Sequence, residues 1–211
     1  MKKLLLLFLL VNSTYLPGSL AMQAKRYDFK VFLGDKEIGH HKFMVTPHNN
    51  QTYVSSEASF DVRFLFFTAY SYLHQNNEVW KGDCLQAINA TTDDNGEQLF
   101  VRGKYNDHGM QLHTHDGSQN LSGCVRTFAY WDPALLNSKK LLNVQTGKLE
   151  EVNIQSLGES VIVKDGNDVR ARQYRITNPK FSIDLWYSRD QEWLALESTT
   201  ESGARLRYMV Q

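Results

Sequence analysis

The chain is poor in cysteine, with Cys84 and Cys124 the only two in 211 residues. Their wide separation excludes a C-x-x-C redox motif. It has no excess of either charge, because 23 Lys and Arg stand against 23 Asp and Glu. That balance leaves no electrostatic footprint for nucleic acid or for an anionic membrane surface. The longest apolar run, Leu4 to Val11, is too short to span a bilayer. No amphipathic helix of ordinary length, no fixed-period repeat and no linker of biased composition interrupts the chain. G-x-S-x-G, H-E-x-x-H, P-loop and dinucleotide fingerprints are all missing, so no motif names an enzyme class.

What is present begins with a leader. Lys2 and Lys3 precede the apolar run, Pro17-Gly18 breaks it, and Ser19-Leu20-Ala21 offers small residues at a cleavage site. This is the layout of a secretory signal peptide over 1–21, removed near Ala21. The expectation is an exported chain, periplasmic in a bacterium, with no membrane-spanning segment after removal of the leader. Loss of Lys2 and Lys3 leaves a slight acidic excess. The remainder, 22–211, is expected to form a single β domain.

The organising stretch is Trp80 to Gly117. Asp94-Asn95-Gly96, Asp107-His108-Gly109 and Asp116-Gly117 place glycine where a tight hairpin needs positive φ. Between these turns the residues alternate as a pleated strand requires, with Leu99, Val101, Gly103 and Tyr105 on one face and Arg102 and Lys104 on the other. Similar turns lie at Gly34-Asp35-Lys36, Pro47 to Asn50, Thr146-Gly147-Lys148 and Asp165-Gly166-Asn167. Val54, Ser56, Ala58, Phe60, Val62 and Phe64 share one face of a long strand. Asp132-Pro133 opens the one helical turn, with Asp132 as cap and Pro133 in the first position. These signals predict an all-β fold: a large curved antiparallel meander of about ten to thirteen strands, half-barrel or barrel-like.

In an exported chain two cysteines pair by default, and a Cys84–Cys124 bond would tie the meander to the segment after it. Two buried free thiols are the rival reading. His113 and His115 face the same way on one strand and could join His40 or His41 in a metal-assisted hydrolase. A polar, solvent-facing row shared with Gln111 is the plainer reading, and no metal or other cofactor is assigned. The run Thr91 to Glu97 looks like a calcium loop, but the first and twelfth positions would be Thr91 and Arg102 where acids are needed. Asp93-Asp94 and Glu150-Glu151 point to opposite faces if extended, so neither pair is a carboxylate dyad.

The stretches YDFKVFLGDKEIGHHKF, VWKGDCLQAINATTDDNG and DLWYSRDQEWLALESTTESGARLRYMV resemble an uncharacterised family of exported bacterial β-proteins, catalogued only as a domain of unknown function. The shared features are Gly34, Ile38-Gly39, Trp80, Gly82, Thr92, Asn95-Gly96, Trp186-Tyr187 and Gly203. They are turn glycines and large aromatics, so the resemblance implies export and β architecture and transfers no catalytic residue. More loosely, the layout is similar to curved-sheet periplasmic lipoprotein carriers, which hold acyl chains in their concavity.

The functional expectation follows from architecture. A sheet of this many strands curves, and aromatics can line the concave face. Phe60, Phe64, Tyr70, Tyr72, Trp80, Trp186 and Tyr187 are the candidate ligand-binding residues. Trp186 and Tyr187 face opposite ways, so at least one points inward. The reading is a non-catalytic, exported binding or carrier protein for a lipid or other apolar molecule. The alternatives are the metal-assisted hydrolase and an envelope scaffold that binds another protein, whose identity the sequence does not give.

Overall fold

The computed structural model describes residues 23–64, 67–164, 166–199 and 203–211, with the side chains of Phe64 and Phe67 excepted. The expected leader over 1–21 lies outside the described residues. Strands follow one another almost without interruption: β1 (Lys25–Leu33), β2 (Lys36–His48), β3 (Gln51–Phe64), β4 (Phe67–Lys81), β5 (Cys84–Asp94), β6 (Glu97–Asn106), β7 (Gly109–Thr114) and β8 (Gly117–Leu121). After a 3-10 turn at Pro133–Asn137 come β9 (Lys140–Leu142), β10 (Leu149–Glu151), β11 (Asn153–Lys164), β12 (Asn167–Thr177), β13 (Ser182–Tyr187), β14 (Trp193–Thr199) and β15 (Arg205–Val210).

Thirteen of these form one antiparallel sheet in the order β11-β12-β13-β14-β15-β1-β2-β3-β4-β5-β6-β7-β8, and β9 pairs with β10 in a separate two-stranded ladder. Nearly every neighbour is a sequence neighbour, and turns foreseen in the sequence join β1 to β2, β2 to β3 and each successive pair from β5 to β8. The β5–β6 turn shows why: Asn95 has φ 53° and Gly96 φ 95°, the left-handed pair that matches the twist of flanking strands. The sheet's one non-sequential pairing joins the two ends of the described chain, with Phe29 opposite Val210 and Val31 opposite Tyr208. β7, which carries His113, is not an edge, because β8 pairs beyond it along Met110 to Thr114.

The sheet must curl, and the core shows it. Leu112 on β7 and Ile176 on β12 belong to one buried cluster, although ten strand spacings separate their strands. Laid flat, that interval would measure about 48 Å. The edges β8 and β11 do not pair with each other among the described residues, so the curl stops short of a closed barrel.

What fills the hollow is the connection between those two edges. Residues 122–152 run from β8 back to β11 across the inner face and contribute Val125, Ala129, Leu135, Leu141 and Leu142 to the cluster. Asp132 caps the 3-10 turn by accepting from the Ala134 N–H at 3.0 Å, as its place before Pro133 predicts. The inserted segment is fastened at several points. Cys84 and Cys124 are disulfide-bonded, Leu85 N–H donates to the Val125 carbonyl at 2.9 Å, and the Tyr187 hydroxyl donates to the Tyr130 carbonyl at 2.8 Å.

Candidate functional site

The inner face of β4 carries an arrangement that a buried sheet face rarely has. Strand period two puts Tyr70, Tyr72, His74, Asn76, Glu78 and Trp80 on one side, and His74, Asn76 and Glu78 are all buried. Each is provided for locally. His74 Nδ1 lies 2.8 Å from Thr92 Oγ1 on β5, the residue directly opposite it. Asn76 donates to Glu78 Oε1 at 3.0 Å, Trp80 donates to Glu78 Oε2 at 2.8 Å, and Thr127 of the inserted segment bonds the same carboxyl. Burial pushes the Glu78 carboxyl above the ordinary carboxylate range against the pull of these three hydrogen bonds, because desolvation disfavours the charged form.

Across the sheet, His41 on β2, Ala58 on β3 and His74 on β4 lie on one rung. Ala58, between the two histidines, is buried in a cluster with Val31, Ile38 and Phe60, while the His41 ring packs on Phe43 at 4.2 Å and on Tyr208 at 5.6 Å. Neither His41 nitrogen has a hydrogen-bond partner, although both are shielded from bulk solvent. Burial, followed by the nearby His74 and His40, lowers the His41 pKa to about 3. Burial alone lowers His74 to about 4.

These groups border a part-open cavity of about 320 Å³ between β2, β3, β4 and the inserted segment. Its apolar wall includes Phe43, Val54, Phe128, Trp131, Phe181 and Ile183, and its polar wall His41, His74, Asn76 and Glu78. At the rim, Tyr72 donates to Gln145 Oε1 at 3.2 Å, Gln145 donates to Asp94 at 3.0 Å, and Tyr70 donates to Asp94 at 2.6 Å. A second depression, of about 680 Å³, adjoins the two ends of the described chain and is lined by Lys25, Arg26, Asp132, Lys164 and Glu192. Trp131 borders both.

Of the residues singled out in the sequence, Tyr72 lines the cavity. Phe60 stacks behind it at 5.2 Å within a smaller cluster with Val31, Ile38 and Ala58. Tyr70 stands at the rim on Asp94, and Trp80 lies buried beneath the polar wall, edge-on to Trp131 at 5.7 Å. Tyr187 points inward to the inserted segment, as one of the Trp186-Tyr187 pair must. Trp186 turns the other way, with its N–H on Ser160 Oγ at 3.3 Å. The side chain of Phe64 lies outside the described residues.

The metal-assisted hydrolase is corrected by the fold. β2 and β7 are five strands apart, about 24 Å along the sheet. His41 faces inward, whereas His113 is exposed with Nδ1 2.8 Å from Ser118 Oγ, and His115 sits 3.2 Å from Asp116 in the following turn. Among the described residues no group of three or more His, Cys, Asp or Glu could hold a metal ion. Sequence reasoning missed His74, Asn76 and Glu78. Their signal was available: they share parity with Tyr72 and Trp80, so polar residues occupy a face bracketed by aromatics.

A crystal structure of a beta-barrel-like protein of a domain of unknown function, DUF1849, from Brucella abortus is similar in fold. The match has a TM-score of 0.63 and covers 89% of this chain and 94% of that one, at 10% sequence identity. No curated protein matches the chain. Among the described residues no helix is long and apolar enough to cross a membrane. The profile of the family described as Domain of unknown function (DUF6134) matches residues 29–211, and the chain belongs to that family.

Proposed function

We propose that the chain is a single exported β domain that binds, without chemistry, a lipid or similar small amphiphile in the cavity under the inserted segment. The observation that carries this reading is the cavity itself. At about 320 Å³ it falls at the small end of the range for ligand sites, and its walls divide into an apolar part and a short polar stretch. The segment over 122–152 fills most of the hollow, so the space suits one small molecule or part of an acyl chain. Each CH₂ buried there would contribute ~0.8 kcal/mol. The Cys84–Cys124 bond supports an oxidising compartment, and periplasmic residence belongs to the same proposal. Native mass spectrometry of freshly purified protein, followed by organic extraction, tests it. A co-purified molecule lost on Tyr72→Ala is the expected result. A bare mass, with no change in tryptophan fluorescence on titrating apolar ligands, overturns it.

A second reading, a scaffold for another protein, is favoured by the β11 edge. Leu157, Val161 and Val163 there are 43%, 59% and 56% exposed, beside unpaired backbone able to take an added strand. Crosslinking in cells with a photoreactive residue at Val161 checks this, and loss of the crosslink on Val163→Lys is expected.

A further inference from the structure

The cavity's chemistry narrows its occupant further, and the inference rests on the binding reading above. Among the described residues its lining contains no lysine, arginine or aspartate, and the only titratable groups are His41, Tyr72, His74, Glu78 and Tyr130. All five are held toward their uncharged forms. Burial lowers His41 to about 3 and His74 to about 4. It also raises Tyr72, Tyr130 and Glu78 above their ordinary values. Glu78, the one acid, already has Asn76 on one oxygen and Trp80 on the other.

An ion entering this space would lose its hydration and meet no countercharge in the lining, a costly transfer. The carboxylate at the rim, Asp94, is already held by Tyr70 and Gln145. Lys25, Arg26, Lys164, Asp132 and Glu192 border the other depression. Meanwhile His41 presents an unpartnered ring that lines the cavity. A neutral imidazole offers one donor and one acceptor. A buried polar group without a partner is an open requirement that a ligand can meet.

We infer that the cavity takes an uncharged amphiphile, such as an alcohol, an amide or a protonated acid, whose polar group hydrogen-bonds the His41 ring while its apolar part lies against Phe43, Val54, Phe128 and Phe181. The space is about twice the ~150 Å³ cavity known to accept benzene, which sets a medium chain or a pair of rings as the scale. The class excluded is the fatty-acid anion and the cationic amphiphile.

The test uses the intact mature protein and three probes of equal chain length: 1-decanol, decanoate and decyltrimethylammonium. Binding is read by calorimetry and by the fluorescence of Trp131. At about pH 7.5 the alcohol is expected to bind one to one, with both ions weaker by about a hundredfold. Decanoate should regain the alcohol's affinity as pH falls to about 4.5, through its own protonation in the ordinary carboxylic range. His41→Phe should weaken the alcohol by about tenfold, the loss of one hydrogen bond, and His41→Gln should restore it. If either ion binds as tightly as the alcohol at about pH 7.5, the inference falls while the binding proposal stands. If no probe binds and nothing co-purifies, both fall. A co-purified molecule that carries charge at neutral pH overturns the inference alone.

Discussion

Trp80 donates its indole N–H to the carboxyl of Glu78, two positions earlier on the same face of β4, at 2.8 Å. Asn76, two positions earlier again, donates to the other oxygen at 3.0 Å. Three consecutive inward residues therefore form one hydrogen-bonded unit, and Thr127 extends it to the inserted segment. The unit does two things. It satisfies a carboxyl that burial would otherwise make very costly, and it fixes the polar wall of the cavity against the segment that roofs it.

Glu78 should therefore respond differently to two substitutions. Its folded pKa is raised above the ordinary 4.5, so the stability it contributes is fully present below about 4.5 and is lost as pH rises through the folded value. Glu78→Gln removes that penalty, and the amide can bond Asn76 by turning the Asn76 side chain, whose Oδ1 is otherwise unpartnered. The variant should gain on the wild type as pH rises from about 4.5 to about 8. Glu78→Ala strands two buried donors and should lose roughly 2–5 kcal/mol at either pH. Urea unfolding at the two pH values checks both.

The histidines act with the opposite sign. Their folded pKa values, about 3 for His41 and about 4 for His74, lie below the ordinary 6.5. A base that folding holds neutral costs nothing above its unfolded pKa. It destabilises as pH falls below about 6.5 toward the folded values, because only the unfolded chain takes up the proton there. Acid should thus weaken the fold between about pH 6.5 and pH 4. His41→Phe with His74→Gln, placed on a Glu78→Gln background to remove the opposing group, should flatten that slope. Denaturant midpoints across the window give the result.

The strand framework was legible because hairpin turns announce themselves locally. Asn95-Gly96 and Asp116-Gly117 say where a strand ends without reference to anything distant. Asp132-Pro133 marked the 3-10 turn in the same way. The site was legible only in part. Tyr72 could be picked out as an aromatic on a concave face, but aromatics alone do not separate a cavity wall from packed core, and Trp80 and Tyr187 proved to be buried. The cavity depends on what residues 122–152 cover and on the rung that joins His41, Ala58 and His74. Both are relations between distant parts of the chain, set by a register that no single strand contains. The pairing of β1 with β15 is unreadable for the same reason.

Gly39, two positions before His41, sits where a side chain has no room. A Cβ there would collide with the Ser59 carbonyl on β3, and the residue has φ +155°. Gly39→Ala must push β2 off β3 or strain its backbone, and should lower stability by about 2–4 kcal/mol. Gly34 is the control. It has φ +61° but nothing within 4 Å of an added Cβ, so Gly34→Ala should cost about 1 kcal/mol. A similar loss for both variants would contradict the close approach of β2 and β3. Thermal unfolding of the pair decides it.

The Cys84–Cys124 bond closes a loop with a sequence separation of 40, which the chain-entropy account values at about 4 kcal/mol. Its position gives it a second consequence. Cys84 begins β5, on the sheet, and Cys124 begins the segment that roofs the cavity. Beside the bond, the Leu85-to-Val125 hydrogen bond at 2.9 Å, the Arg126–Asp83 ion pair and the Thr127–Glu78 hydrogen bond hold this end down. The far end of the segment keeps its own ties, through the Tyr72 hydroxyl on Gln145 and the Gln119 amide, on β8, which donates to the Gly147 carbonyl at 2.6 Å. Replacing both cysteines by serine should therefore lower global stability by about 2–4 kcal/mol. It should also raise amide exchange at Val125 to Ala129 more than in β2 or β3, a local opening of the kind that weakly fastened segments show. Hydrogen exchange read by mass spectrometry separates the two effects. Uniform loss of protection across the sheet would mean that the bond supports the whole fold and that the roof does not move by itself.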